Sequence, residues 1–437
     1  MSKGRLRFWV RLSVGLLAVA WWGLSLAQPN PQPIKLRFVS LAWQTDAIKA
    51  VKEVVAEWNS RNPQIQVEYQ QVDWGSIQDY LTTSFQAKNV PDVFHYESNP
   101  VMDFGNRGFL LDLAPLIPAE MKQDILPGAW KTVTDAKGAV YGVPFLVEPL
   151  VVLYNRKLFV EAKVSLPRAD DVWTWEDLRR VAKALTKDTN NDGRPEVYGC
   201  AIPLRNAGNR ILNLSVGFGG DYFARSGNSY SVKVGNEEKQ LLSTILAMLY
   251  EDKSCTTEAL TLGSAEVIPG FLAGKYAMMP GVGAFVRQQI VEKAPKDFQW
   301  GVLPPLKART QEQGSVSQTL SIPKDSKYPR EAMQFIAFAL NRANMAKLAA
   351  GDWLIPTRAS STKLPPFNTS ANGWRTSVEA AKYLTFPLWQ QVNGVSEFRS
   401  RVLNPKLQLL FANRLSLEDF AKQVEAEGNE IIKKFYP

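Results

Sequence analysis

Apolar residues change their spacing twice over residues 36–69, and that alternation constrains the fold more than any single side chain. Leu36, Phe38 and Val39 read as a short strand. Thr45 is placed to cap a helix carrying Ile48, Val51, Val55 and Trp58 at helical spacing, and Pro63 marks the helix end. Ile65, Val67 and Tyr69 then alternate with polar residues as a second strand. The economical arrangement is a strand, a crossover helix and a parallel strand. The pattern repeats as a helix over 77–87 and a strand over 91–96, where Pro91 sits at a permitted strand start. Further helices are predicted from Thr174, with a capping box through Glu176 and Asp177, over 333–350 and over 418–435. No internal repeat or low-complexity linker interrupts the series, which predicts an α/β fold.

The amino terminus is of a different kind. Lys3, Arg5, Arg7 and Arg11 precede an apolar run over 12–26, and Ser25 and Ala27 supply small residues at a cleavage site. Residues 1–27 therefore read as a signal peptide, because the run is short for a bilayer that needs about 20 apolar residues. Export to the periplasm or exterior is expected, and the absence of a cysteine after the site removes the usual acceptor for lipid attachment. Roughly 410 residues remain, more than one core usually holds, so two domains are expected.

Charge and residue counts narrow the function. Without the four basic residues of the leader, 47 basic side chains stand against 42 acidic ones, a net charge near +5. They are scattered, with no run that would track phosphates, so nucleic acid is not an expected partner. His95 is the only histidine, and its place in an apolar strand suits a core or hinge role better than general-base catalysis. Nucleophile elbows, Walker loops and dinucleotide fingerprints are absent. Cys200 and Cys255 are the only cysteines. They either remain separate buried thiols or close a 56-residue loop, a cross-link contributing about 4 kcal/mol. Asp188, Asn190 and Asp192 with Gly193 open like a calcium loop, but Gly199 stands where the bidentate glutamate belongs. A solvated turn is the simpler account.

Val-Pro-Asp-Val-Phe at 90–94, Val-Leu-Tyr-Asn-Arg-Lys-Leu-Phe at 152–159 and Phe-Leu-Ala-Gly-Lys-Tyr-Ala-Met-Met-Pro-Gly-Val-Gly-Ala-Phe at 271–285 carry a resemblance in their order and spacing. The chain resembles the extracellular solute-binding proteins of family 1, the maltose-binding-like sugar-capturing components of bacterial ABC importers. The resemblance implies a two-lobed periplasmic binding protein fold of type II, its lobes joined by a three-crossing hinge. It places crossings near 144–148, 279–281 and 317–322. The first lobe is then 28–145 with 281–320, and the second 146–280 with 321–437. It also implies a small-molecule ligand, expected to be a mono- or oligosaccharide, membrane permease subunits as partners, a monomer, no cofactor and no chemistry on the ligand.

Sugars present hydroxyl rims and apolar faces, so their sites need flat aromatic rings beside carboxylates and amides. Trp43 lies at the exit of the first strand, where α/β sheets bind ligands. Tyr96, Glu97 and Asn99 close or follow the strand over 91–96, and Trp74 stands before the helix over 77–87. By resemblance, Tyr96 matches a stacking aromatic, Glu148 an acidic sugar contact and Asn206 the start of a loop reaching in from the second lobe. Trp353 and Arg358 lie in a segment, 350–358, that ends like its family counterpart in Pro-Thr-Arg, with Arg358 either touching a ligand or pairing with a carboxylate. Relatives carry Gly-Pro-Trp where this chain has 280–285, so the family's stacking tryptophan is missing. Gly281 and Gly283 could still approach a ligand through their backbone, with Phe285 as the stand-in ring. Two other readings stay open: a binding protein for a polar solute such as glycerol 3-phosphate, and a secreted carbohydrate-active enzyme using Glu97 and Glu148 as its carboxylate pair.

Overall fold

The computed structural model describes residues 32–168, 171–227 and 229–436. The segment read as a signal peptide lies outside them. Strand β1 (Ile34–Ser40), helix α1 (Thr45–Arg61) and strand β2 (Ile65–Gln71) form the expected unit. β1 and β2 run parallel from Ile34 opposite Ile65 to Ser40 opposite Gln71. The face of α1 bearing Val51, Val54, Val55 and Trp58 is buried. Thr45 does not cap it: Gln44 holds the cap position, and its side chain instead donates to Asp352 Oδ1 at 3.1 Å. Next come α2 (Ile77–Gln86), β3 (Val93–Glu97) and α3 (Ser98–Asn106).

The remaining strands are β4 (Val143–Val147), β5 (Leu150–Asn155), β6 (Tyr198–Cys200), β7 (Phe223–Ser226), β8 (Ser229–Val232), β9 (Tyr276–Gly283), β10 (Trp300–Leu303), β11 (Gln313–Gly314), β12 (Ser317–Ser321), β13 (Ile355–Pro356) and β14 (Leu384–Thr385). Two sheets organise the molecule, one ordered β13-β4-β12-β3-β1-β2 and the other β10-β5-β9-β6. Around the first, Leu36, Phe38, Val143, Leu320 and Phe335 share one core. Around the second, Phe159, Leu178, Ile211, Leu242 and Phe420 share another. Each such side chain removed from water contributes about 1.5–3 kcal/mol, so each lobe has its own source of stability.

The chain passes from first sheet to second through Glu148 and Pro149, between β4 and β5. It returns between β10 and β12 and leaves again through the helix Trp374–Ala380, whose Trp374 is buried in the first core and Ala380 against the second sheet. β11 pairs in parallel with β14, Gln313 opposite Leu384, so the second and third crossings lie side by side. These pairings correct the lobe boundaries expected above. Residues 279–281 are no crossing: they sit inside β9, which is buried along its length between β5 and β6. Residues 281–303 accordingly stay with the second lobe, and 329–356 pack on the first. The helix expected over 333–350 is two helices, Pro329–Ala339 and Arg342–Asp352, because the Asn341 side chain accepts from the amides of Ala343 and Asn344 and starts a new one. The capping box at Thr174 and Asp177 is present as expected. Among the described residues no helix is long and apolar enough to cross a membrane.

Gly199, in β6, lies so close to the helix Trp175–Leu185 that an added Cβ would stand 1.8 Å from the Ala182 carbonyl oxygen. Backbone cannot yield there as a flexible side chain would. Gly199→Ala is therefore expected to lower stability by about 1–3 kcal/mol or more in denaturant titration. A loss within experimental error would contradict this helix-to-sheet packing.

Candidate cleft between the lobes

Because β12 is antiparallel to both β3 and β4, and β1 is parallel to β2 and β3, strands β1 to β4 point the same way. Their carboxyl ends leave the first sheet along one edge. Trp43 follows β1 and is 49% exposed. Trp74 follows β2 and is partly buried, its ring 5.7 Å from His95 and 6.3 Å from Tyr96. Glu97 ends β3, Asn99 lies in the first turn of α3, and Glu148 follows β4; all three are partly buried.

The second sheet answers along its own edge, with the residues after β6 and β9. Asn206, at φ +52°, precedes the helix Gly208–Phe218, which carries Asn209 and Arg210. Gly281, at φ +68°, offers its carbonyl to Arg210 Nε at 2.6 Å. Gly283 has a different duty: a Cβ there would lie 1.6 Å from Glu148 Oε1, so the missing side chain is the space the carboxylate occupies. Phe285 comes two residues later, its ring meeting Trp43 edge to face at 6.1 Å across the lobes. A cavity of about 270 Å³ is lined by Glu148, Asn206, Asn209, Arg210, Gly283 and Phe285 among others.

Charge in this cleft is arranged unequally. Burial pushes Glu148 up to about 7, helped by the carboxylates of Glu97 and Asp352 and opposed by Arg210. Burial also raises Glu97, against the pull of Arg399. Neither carboxylate has a hydrogen-bond donor placed on it among the described residues. Arg210 by contrast has a partner at each nitrogen: Nε on Gly281, Nη1 on the Pro203 carbonyl and Nη2 on Ser264 Oγ. Burial lowers it to about 10, which Glu148 opposes. His95 is buried, accepts from the Leu41 amide at Nδ1 and meets Gln318 Oε1 at 2.8 Å through Nε2. Burial lowers it to about 4, so it is neutral near pH 7 and ties β3 to the hinge strand β12.

Several expected site residues have other occupations. Arg358 is 2% exposed and pairs with Glu120 at 2.8 Å and Asp124 at 3.2 Å, which settles its role as a lobe-internal ion pair. Trp353 stacks on Trp374 at 4.9 Å and 28°, with the Arg287 guanidinium 4.2 Å above Trp374. Arg287 also donates to the Trp353 carbonyl, so this ring belongs to packing between the lobes rather than to the open cleft. Tyr96 is only 8% exposed, with its hydroxyl on Gln78 Oε1 at 3.1 Å, and backs Trp74 instead of presenting its own face. The oxygens of Asp188, Asn190 and Asp192 accept from Gly193, Asp192 and Arg194 amides, closing their turn on itself. No group of three or more His, Cys, Asp or Glu side chains is placed to hold a metal among the described residues.

Arg399 carries no signal in the sequence that marks it out, whereas Asn209 falls in the loop begun by Asn206 that the resemblance brings to the ligand. Arg399 Nη1 donates to Asn209 Oδ1 at 3.2 Å, and Arg399 opens a π-helical turn over Arg399–Leu403. Such turns recur at functional sites but leave no sequence pattern. Asp352 lies inside the segment 350–358 and joins the cleft's charge through its buried setting, burial pushing it up to about 6 against hydrogen bonds from Gln44 and Gln318.

Two α/β lobes, three crossings and an aromatic and carboxylate-lined cleft between facing sheet edges define the two-lobed periplasmic binding-protein class. The chain belongs to the bacterial extracellular solute-binding protein family, whose pattern matches residues 42–346. An uncharacterised lipoprotein in the oleD 5′ region of Streptomyces antibioticus is 40% identical, over 95% of this chain and 90% of its own. The diacetylchitobiose binding protein DasA of Streptomyces coelicolor is 24% identical, over 89% and 86% respectively. The same fold is found in the ABC substrate-binding protein Lmo0181 of Listeria monocytogenes, solved with cycloalternan, at a TM-score of 0.74 and 21% identity over 91% of this chain and 99% of that one.

Glu148 makes ligand-free stability depend on pH. Its folded pKa, about 7, lies above the ordinary 4.5 of a free glutamate, so its favourable contribution is complete below pH 4.5 and is lost as pH rises through 7. Glu148→Gln removes that loss. The variant should exceed the parent in stability by about 1–3 kcal/mol at pH 8 and match it near pH 4.5 in denaturant titrations without ligand. Equal stability at pH 8 would show that the carboxylate is well solvated.

Proposed function

We propose that this protein captures an oligosaccharide in the cleft, closes its lobes over it by hinge motion and hands it intact to the membrane permease of an ABC importer. One observation carries the proposal: exposed or partly exposed rings, Trp43, Trp74 and Phe285, stand at the facing sheet edges that also carry Glu97 and Glu148, two carboxylates with no donor of their own among the described residues. Rings match the C–H faces of a sugar, and carboxylates accept from its hydroxyls. Asn99, Asn206 and Asn209 add amides that both donate and accept. A phosphate ester would need free cationic donors, whereas Arg210 is held by three protein oxygens and Arg358 by two carboxylates. That balance favours a neutral hydroxyl-rich ligand over glycerol 3-phosphate. Relatives that bind diacetylchitobiose and cycloalternan lend the same support.

We place the mature protein outside the cytoplasmic membrane as a freely diffusing monomer. The Streptomyces antibioticus relative is named a lipoprotein, which stands against free diffusion. Both cysteines of this chain lie buried in the second lobe, away from the amino terminus, where a lipid would be attached.

Calorimetric titration with maltotriose, mannotriose, diacetylchitobiose and glycerol 3-phosphate tests the assignment. A neutral saccharide should bind and be recovered unchanged, and Trp43→Ala should weaken it about 5- to 150-fold in Kd, equivalent to about 1–3 kcal/mol. Binding of glycerol 3-phosphate alone would replace the sugar with an anion, and release of shortened saccharides would make the protein an enzyme. An unchanged Kd in the variant would put the site elsewhere.

A further inference from the structure

We propose that Cys200 and Cys255 form an intramolecular disulfide in the exported protein, and that this bond braces the second lobe's wall of the cleft. The chain has two cysteines in 437 residues, and the fold brings them opposite each other. Cys200 ends β6, the edge strand of the second sheet. Its amide donates to the Ser254 carbonyl at 2.9 Å, and the Thr256 amide donates to the Cys200 carbonyl at 3.2 Å, which sets Cys200 and Cys255 as partners in a parallel bridge. Neighbouring strands lie about 4.8 Å apart, inside the range of about 4.4–6.8 Å between Cα atoms that a disulfide spans. Both side chains are buried in the same core of the second lobe, where the structure holds them as free thiols. The backbone pairing therefore meets the Cα spacing a disulfide needs.

The position of the bond gives it a consequence for the cleft. Two segments leave it toward the ligand, 201–210 and 256–266. They are laced together by Leu204 donating to Ala259, Arg205 donating to Leu262, Arg210 on Ser264 and the ion pair of Arg205 with Glu266. The first segment and Ser264 line the cavity. A covalent link at their common root restricts how far they can part when the lobes open.

Oxidation must precede packing, because the two residues are 0% and 1% exposed and burial holds the Cys200 thiol in its protonated, unreactive form. In the unfolded chain, the thiolate of one cysteine attacks the disulfide of an oxidant, a thiol oxidoreductase or glutathione disulfide, to give a mixed disulfide. The second thiolate then displaces the oxidant's sulfur. Two S–H bonds are lost, one S–S bond forms, and the oxidant leaves as two thiols carrying the electron pair.

The test uses the full-length protein secreted by a bacterial host. It is denatured with iodoacetamide and no reductant, then reduced, treated with N-ethylmaleimide and mapped by mass spectrometry. Both cysteines should carry only the second reagent, and an unreduced digest should contain the linked pair of peptides, lighter by two hydrogens. Both carrying iodoacetamide would overturn the bond. For the bracing role, amide exchange is compared with and without reductant in the parent and in C200A/C255A. Reduction should speed exchange in 201–210 and 256–266 of the parent by about tenfold or more, leaving the first lobe and the variant unaffected. Unchanged exchange in those two segments on reduction would reject the brace while keeping the disulfide.

Discussion

The side chains of the first lobe's cleft wall owe their positions to one constraint: β1, β2, β3 and β4 run in the same direction. Parallel strands deliver their carboxyl ends to a common edge, and the residues at each strand's exit must stand there. Trp43, Trp74, Glu97 and Glu148 are those residues. The second sheet places β5 and β9 antiparallel, so the start of β5 and the end of β9 meet at the edge nearest the crossing. Glu148 is fixed from both sides, by β4 before it and by the open space at Gly283 opposite it.

Holding carboxylates in that position is unfavourable in the ligand-free protein. Burying an ionised group without a donor costs more than leaving it in water, and the raised pKa values of Glu97 and Glu148 express that cost. Two buried arginines elsewhere are instead supplied with acceptors. Buried Arg358 has two carboxylates and a backbone oxygen, and Arg287 has three carbonyls and the faces of two tryptophans. Those arginines have acceptors, whereas Glu97 and Glu148, which face the cleft, have no donor among the described residues. The contrast is what a binding site preorganised for hydroxyl donors requires, since a ligand then supplies what the protein withholds.

Local pattern makes part of this legible. The strand exits carrying Trp43, Glu97 and Glu148 emerge from short-range periodicity and from family motifs, as does the capped helix at Thr174. The rest depends on contacts between distant parts of the chain. Arg358 reads equally as a ligand contact or a carboxylate partner until Glu120 and Asp124, more than two hundred residues earlier, are seen to hold it. Trp353 looks available until Trp374 and Arg287 are placed on it. The lobe boundaries fail for the same reason, because the apolar stretch at 276–283 reads equally as a hinge strand or a buried central strand, and only its pairing with β5 and β6 decides. Asn341 ends a helix that apolar spacing alone would continue.

Small-angle X-ray scattering during titration with a saccharide that calorimetry has shown to bind tests the central claim, that ligand is held between two lobes that close on it. The radius of gyration should fall in proportion to occupancy and level off at saturation. A radius that stays constant while the calorimetric signal saturates would contradict lobe closure, and would place binding on the surface of a single lobe.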